Sequence, residues 1–127
     1  MLPLRFPRVW MALGSILVLG VCVGSLLPGP LVEPIIENDK LVHAATYWLL
    51  MVWFAGMYAR RYHWVIAVLL LVLGFGLDVA QSGTETRSFD MIDVAADTGG
   101  ILLGLVSAWL VFEGWCRRVE GWFLVER

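Results

Sequence analysis

Asp39, Lys40 and His43 stand at the head of one long apolar run of this chain. Asp78 and Gln81 close the next, Arg87 lies in the loop after it, and Asp93 and Asp97 open the last. Carboxylates, an imidazole, an ammonium and a guanidinium gathered in one place could bind an anion, pass a proton or carry a cation. Arg87 is the natural anion group, because its planar fork meets phosphate or carboxylate with two hydrogen bonds, and Lys40 adds a second positive charge. His43 could act as a general base oriented by an Asp, as a proton relay, or as a packing histidine hydrogen-bonded to Asp93. The catalytic candidates are therefore His43 and Asp93, and the ligand-binding candidates are Lys40, His43, Arg87, Asp93 and Asp97. Asp39, Tyr47, Asp78 and Gln81 are the expected supporting residues.

Each of these residues also has a plain structural role. Asp39 is expected to cap its helix, Arg87 to pair with Asp93 or Asp78, and His43 to pack. The set as a whole argues for a site, since a charge at the centre of a spanning helix costs roughly 2.5–3.5 kcal/mol. No metal and no cofactor is expected: three carboxylates and one His could hold an ion, but no spaced His or Cys pair accompanies them. G-x-S-x-G, Walker, C-x-x-C and H-E-x-x-H patterns are all missing from the sequence.

Helical spacing is what must bring these groups together. Asp39, His43 and Tyr47 recur at i, i+4 and i+8, and Asp78 and Gln81 at i and i+3, so each set shares a helix face. Asp93, Asp97, Gly100 and Gly104 fall at i, i+4, i+7 and i+11, a face with two carboxylates and, deeper, two glycines. The chain is 60% apolar and 16% charged, with a mean hydropathy of +0.80, against about 45–50% and about 25% in soluble domains. The excess lies in four runs of membrane-spanning length, Val9–Leu27, Leu41–Ala59, Trp64–Gln81 and Met91–Cys116. The prediction is a single all-α domain over residues 1–127, a bundle of four transmembrane helices with a short interfacial tail at Arg117–Arg127.

Smaller features complete this picture. The first run has no convincing cleavage site and is expected to be retained. Gly20 with Gly24, and Gly74 with Gly76, are expected to allow close helix approach. Trp48, Trp53, Phe54 and Tyr58 fit a lipid- or interface-facing set, and a short amphipathic turn is expected at Val32–Glu37.

Of the 9 Lys and Arg residues, only Lys40 and Arg87 fall outside the two ends and the Arg60–Arg61 connection. Basic residues gather in cytoplasmic loops, so both termini are expected in the cytoplasm and the polar cluster on the outer face of a bacterial cytoplasmic (inner) membrane. There is no basic patch for nucleic acid. The expected partners are membrane lipids, a lipid-linked envelope precursor, and a second copy of the chain if more helices are needed.

Asp39-Lys40-Leu41-Val42-His43 opening a helix, Asp78-Val79-Ala80-Gln81 closing the next and Arg87-Ser88-Phe89-Asp90 in the loop form an ordered set. With Asp93, Asp97, Gly100 and Gly104, it resembles the VanZ-like family of small polytopic bacterial membrane proteins, named after a teicoplanin-resistance factor. The resemblance runs over Asp39–Gly104. Asp78 stands where that family commonly has Glu, and Asp97 where it commonly has Asn. The resemblance implies a four-helix membrane protein connected with the cell envelope and with glycopeptide (teicoplanin) susceptibility. It implies no particular reaction.

Three functions compete. In the first, an outward pocket binds an anionic headgroup or envelope precursor through Arg87 and Lys40, which Asp78, Asp93 and Asp97 hold in place. In the second, the chain is an intramembrane enzyme acting on a lipid-linked phosphate with His43 as base. The third is an ion-coupled transporter, which the few helices and the lack of an inverted repeat disfavour. Binding is preferred because no activated nucleophile is evident.

Overall fold

The computed structural model describes residues 1–27, 38–83 and 89–125, so the turn expected at 32–37 lies outside the described residues. Among them there are five α-helices and no strand. Helix α1 is Pro7–Leu26, α2 Asp39–Met57, α3 His63–Ser82, α4 Met91–Ser107 and α5 Trp115–Val125.

Local chemistry sets the boundaries. Pro7 sits in the first turn of α1, where its missing N–H costs nothing and its fixed φ already suits a helix. That helix stops at Leu27, the residue before Pro28, in extended backbone. The cap of α2 is Asn38, whose side chain accepts from the Leu41 N–H at 3.2 Å, so Asp39 occupies the first turn and not the cap position. Asp90 caps α4 in the same way, accepting from Ile92 N–H at 2.8 Å. The fourth segment does not run unbroken to Cys116. It passes through a π turn at Ala108–Phe112 and breaks at Gly114, whose φ of 62° is the left-handed conformation that glycine adopts without strain. Cys116 therefore belongs to α5, and the Arg118 guanidinium donates back to the carbonyls of Val111 and Glu113 at the end of the fourth segment.

Contacts along the helices give their directions. Lys40 meets Asp93, His43 meets Asp97 and Trp48 meets Ser107, so α2 and α4 run parallel. Trp64 stacks edge-on against Trp109 while Gly74 abuts Tyr47 and Asp97, so α3 is antiparallel to both. Trp10 near the start of α1 meets Trp53 near the end of α2, which makes α1 antiparallel to α2. The result is an up-down-up-down bundle. Helix α2 is its centre and touches every other helix. The core around it includes Tyr47, Leu50, Met51, Ala55, Leu70, Ile101 and Leu105.

Three segments are long and apolar enough to cross a membrane, Pro7–Leu26, Arg60–Ser82 and Met91–Phe112. Their outer faces carry exposed Ile16, Leu19, Leu69, Val72, Leu103 and Leu110, the surface that lipid would cover. Helix α2, expected as the second span, does not reach that standard, because Asp39, Lys40, His43 and Thr46 dilute it. A helix shielded by its neighbours has less need of an apolar surface than one that faces lipid.

The expected glycine contacts divide sharply. A Cβ on Gly20, Gly24 or Gly76 would meet nothing among the described residues, whereas one on Gly74, Gly100 or Gly104 would collide with a neighbouring helix. The aromatic expectation also needs correction. Trp53 packs with Trp10 and Trp115, ring centroids 5.7 and 5.3 Å away, and the Trp48 indole donates to Ser107 Oγ at 3.1 Å. Both face protein partners. At this same end Glu120 accepts from the backbone N–H of Arg5 and Phe6 and from the Trp10 indole at 2.7, 2.9 and 2.8 Å. Burial pushes its carboxyl up, but the three donors outweigh that and hold it below the ordinary carboxylate range.

Candidate functional site

The polar end of the bundle is assembled from the first turns of α2 and α4 and the last turn of α3. What lets those turns meet is the absence of side chains deeper in the bundle. A Cβ on Gly100 would collide with the Ala44 carbonyl, 2.8 Å from its carbon, and one on Gly104 would lie 2.7 Å from Met51 Cβ and 2.9 Å from the Trp48 carbonyl oxygen. The two backbones are thus nearly in contact, and residues one and two turns further out face each other directly.

The outermost group is an ion cluster. The Lys40 ammonium donates to Asp90 Oδ2 at 2.8 Å and to Asp93 Oδ1, with Asp39 Oδ2 4.0 Å away. Lys40, helped by the Ile92 N–H, holds the Asp90 carboxyl below the ordinary carboxylate range.

One turn deeper, His43 Nδ1 lies 2.9 Å from Asp97 Oδ1, and its Nε2 is 3.8 Å from Asp39 Oδ1. Asp97 and Asp78 are each only 3% exposed. Asp78 Oδ2 and Asp97 Oδ2 have no hydrogen-bond partner among the described residues. Asp97 Oδ2 and Tyr47 Oη converge on Gly74, 2.8 and 3.1 Å from where a Cβ would stand. Gln81 is buried beside the end of α3.

Lys40, His43, Asp93 and Asp97 therefore meet, and Asp39, Tyr47 and Asp78 surround them. Arg87 lies outside the described residues. Asp78 and Asp97 do not hold Lys40, since that role belongs to Asp90 and Asp93. Asn38 and Asp90 are the contributors that spacing passed over. Both stand immediately before an apolar helix, the position where Asn and Asp most often cap, and that signal could have found them. The structure also brings together two sets whose ligand atoms lie within 4.8 Å of one another, Asp39–His43–Asp93 and His43–Asp78–Asp97. Spacing along the sequence could not show this, because the members come from different helices.

No family model, curated protein or solved structure matches the chain.

Proposed function

We propose that this chain is a VanZ-like membrane protein of the bacterial cell envelope. In this reading α2 is the fourth span, both termini are cytoplasmic, and the polar end of the bundle faces outward to bind the headgroup of an envelope lipid or lipid-linked precursor. The observation that carries it is the convergence of Asp39, Lys40, His43, Asp90 and Asp93 at one end of an otherwise apolar bundle, where the Lys40 side chain is still 39% exposed. Charge gathered at the end of an apolar bundle is suited to a molecule that is itself anchored in the membrane. The Lys40 ammonium is already shared by two carboxylates, so the phosphate contact falls chiefly to Arg87. The acidic groups are left to meet amine or hydroxyl groups of the ligand. Modulation of glycopeptide susceptibility follows from the family resemblance alone.

Native mass spectrometry of the chain in lipid nanodiscs tests this reading. A phospholipid or polyprenyl phosphate is expected to stay bound to the wild type and to be lost from Arg87→Ala. Arg87→Lys should weaken it more than His43→Gln does, because the bidentate fork is gone. Equal retention by Arg87→Ala would overturn the proposal.

One observation favours a second reading. His43 Nδ1 against Asp97 Oδ1 at 2.9 Å is the arrangement in which a carboxylate orients a general base. An enzyme acting on a lipid-linked phosphate would lose turnover in His43→Gln while keeping its lipid.

A further inference from the structure

Beneath the Lys40 cluster two carboxylates face each other with too little positive charge. Asp78 and Asp97 come from α3 and α4, each is 97% shielded from solvent at 3% exposure, and each has one oxygen without a hydrogen-bond partner among the described residues. A buried carboxylate oxygen without a donor is costly, and two adjacent carboxylates cannot both stay ionised unless a proton or a cation lies between them. Lys40 is already committed to Asp90 and Asp93. The remaining basic group against the pair, among the described residues, is His43, whose Nδ1 is 2.9 Å from Asp97 Oδ1.

We infer that His43, Asp78 and Asp97 form a binding site for a divalent metal ion within the bundle. Their ligand atoms lie within 4.8 Å of one another, and a small inward movement of the side chains would bring them to the roughly 3–4 Å separations of ligands set about 2.1 Å from one ion. A dication with two carboxylates and a neutral imidazole sums to zero charge, which removes the cost of burying the pair. With Nδ1 turned to the ion, Nε2 faces Asp39 Oδ1 at 3.8 Å, beyond hydrogen-bond length, so Asp39 acts on the imidazole only through its charge. Tyr47 Oη, beside Asp97 Oδ2 at Gly74, is within reach of the same space. One imidazole with carboxylates suits Mn²⁺ or Zn²⁺ better than Mg²⁺ or Ca²⁺, which favour all-oxygen shells. The second set, Asp39–His43–Asp93, is the weaker candidate because Asp93 is bound to Lys40 and Asp39 is exposed. This inference goes beyond the headgroup reading, and the ion would be held whether or not a lipid is bound.

The test is Mn²⁺ titration of the full chain in detergent after EDTA treatment, followed by the loss of the free-ion electron paramagnetic resonance signal, with Zn²⁺ and Mg²⁺ as competitors. One ion per chain is expected, displaced by Zn²⁺ and not by equal Mg²⁺. Asp78→Asn and His43→Ala should each weaken binding at least tenfold. Asp90→Asn, which removes a carboxylate facing Lys40, should change it less than twofold. Should either ligand variant fail to fold, the wild type alone still decides: Mn²⁺ must raise its melting temperature. No uptake, as when a shared proton neutralises the pair, overturns the inference. So does equal weakening by Asp90→Asn, which would mean diffuse attraction to surface charge. Lipid retention is read separately by mass, so failure of one proposal leaves the other standing.

Discussion

Lys40 is the residue whose surroundings make the sharpest quantitative statement. Its ammonium is shared by Asp90 and Asp93, with side-chain exposures of 39% for Lys40 and 13% for Asp93, so it lies between a solvated surface pair and a buried one. Lys40→Ala should cost about 1–3 kcal/mol, above the roughly 0–1 kcal/mol of an exposed pair and below the about 3–5 kcal/mol of a fully buried one. Combined with Asp93→Asn the loss should be less than additive in a double-mutant cycle of thermal melts, because the second change removes the stranded charge. The pH dependence has a definite sign. The Asp90 pKa is lowered, so its contribution is fully present above the ordinary carboxylate value and lost as pH falls through the folded one. The part of the Lys40→Ala cost that comes from Asp90 should therefore be the same at pH 6 and pH 8.5, both well above the ordinary carboxylate value of about 3.9. A cost that changes between those two pH values would mean that another titrating group controls the cluster.

Between elements, register is the quantity that matters, and glycine sets it. Gly100 lies against the Ala44 backbone and Gly104 against Met51 and Trp48, so α2 and α4 approach more closely than side chains would allow. Gly100→Ala must push the helices apart and should cost about 1–3 kcal/mol, as overpacking does, with loss of the His43–Asp97 pairing above it. Gly20→Ala and Gly24→Ala meet open space; each should be neutral or stabilising by up to about 1 kcal/mol through helix propensity. Melting curves in one detergent compare all three directly. If Gly20→Ala and Gly24→Ala prove as harmful as Gly100→Ala, the exposed face of α1 packs against another copy, and chemical cross-linking should then trap a dimer. The sequence offers Gly20–Gly24 and Gly100–Gly104 as equivalent small-residue pairs. Only the packing of α2 against α4 separates them.

Across the whole molecule the charges divide by end. Arg5, Arg8, Arg60, Arg61, Arg117 and Arg118 lie at the end where Glu120 ties the start of the chain to α5. Asp39, Asp78, Asp90, Asp93 and Asp97 lie at the other. An up-down-up-down bundle puts both chain ends on one side, so reporter fusions after Arg127 should read as cytoplasmic and fusions within 82–85 as external. An external reading at the C-terminus would turn the polar end toward the cytoplasm and remove the case for an envelope ligand.

The sequence by itself determined that a helix forms along each of the four apolar runs, though not that the fourth breaks at Gly114, and at which end their charges lie. Hydrophobic runs, Pro7 and the interruption before α2 act locally, and the dehydration cost of a charge confines Asp39, Asp78 and Asp93 to helix ends wherever the helices go. It also determined that Asp39, His43 and Tyr47 share a face, because 3.6 residues per turn is a property of one helix. Tertiary structure alone decided the partners: Lys40 with Asp90 and Asp93, His43 with Asp97, Trp53 with Trp10 and Trp115. It decided as well that α2, the least lipophilic of the four long helices, is the one the others shelter, and that Asp78 comes to lie beside Asp97. These pairings depend on the relative height and rotation of helices distant in sequence. That relation is fixed by the close approach of Gly100 to Ala44 and of Gly74 to Tyr47, and no spacing within one segment records it.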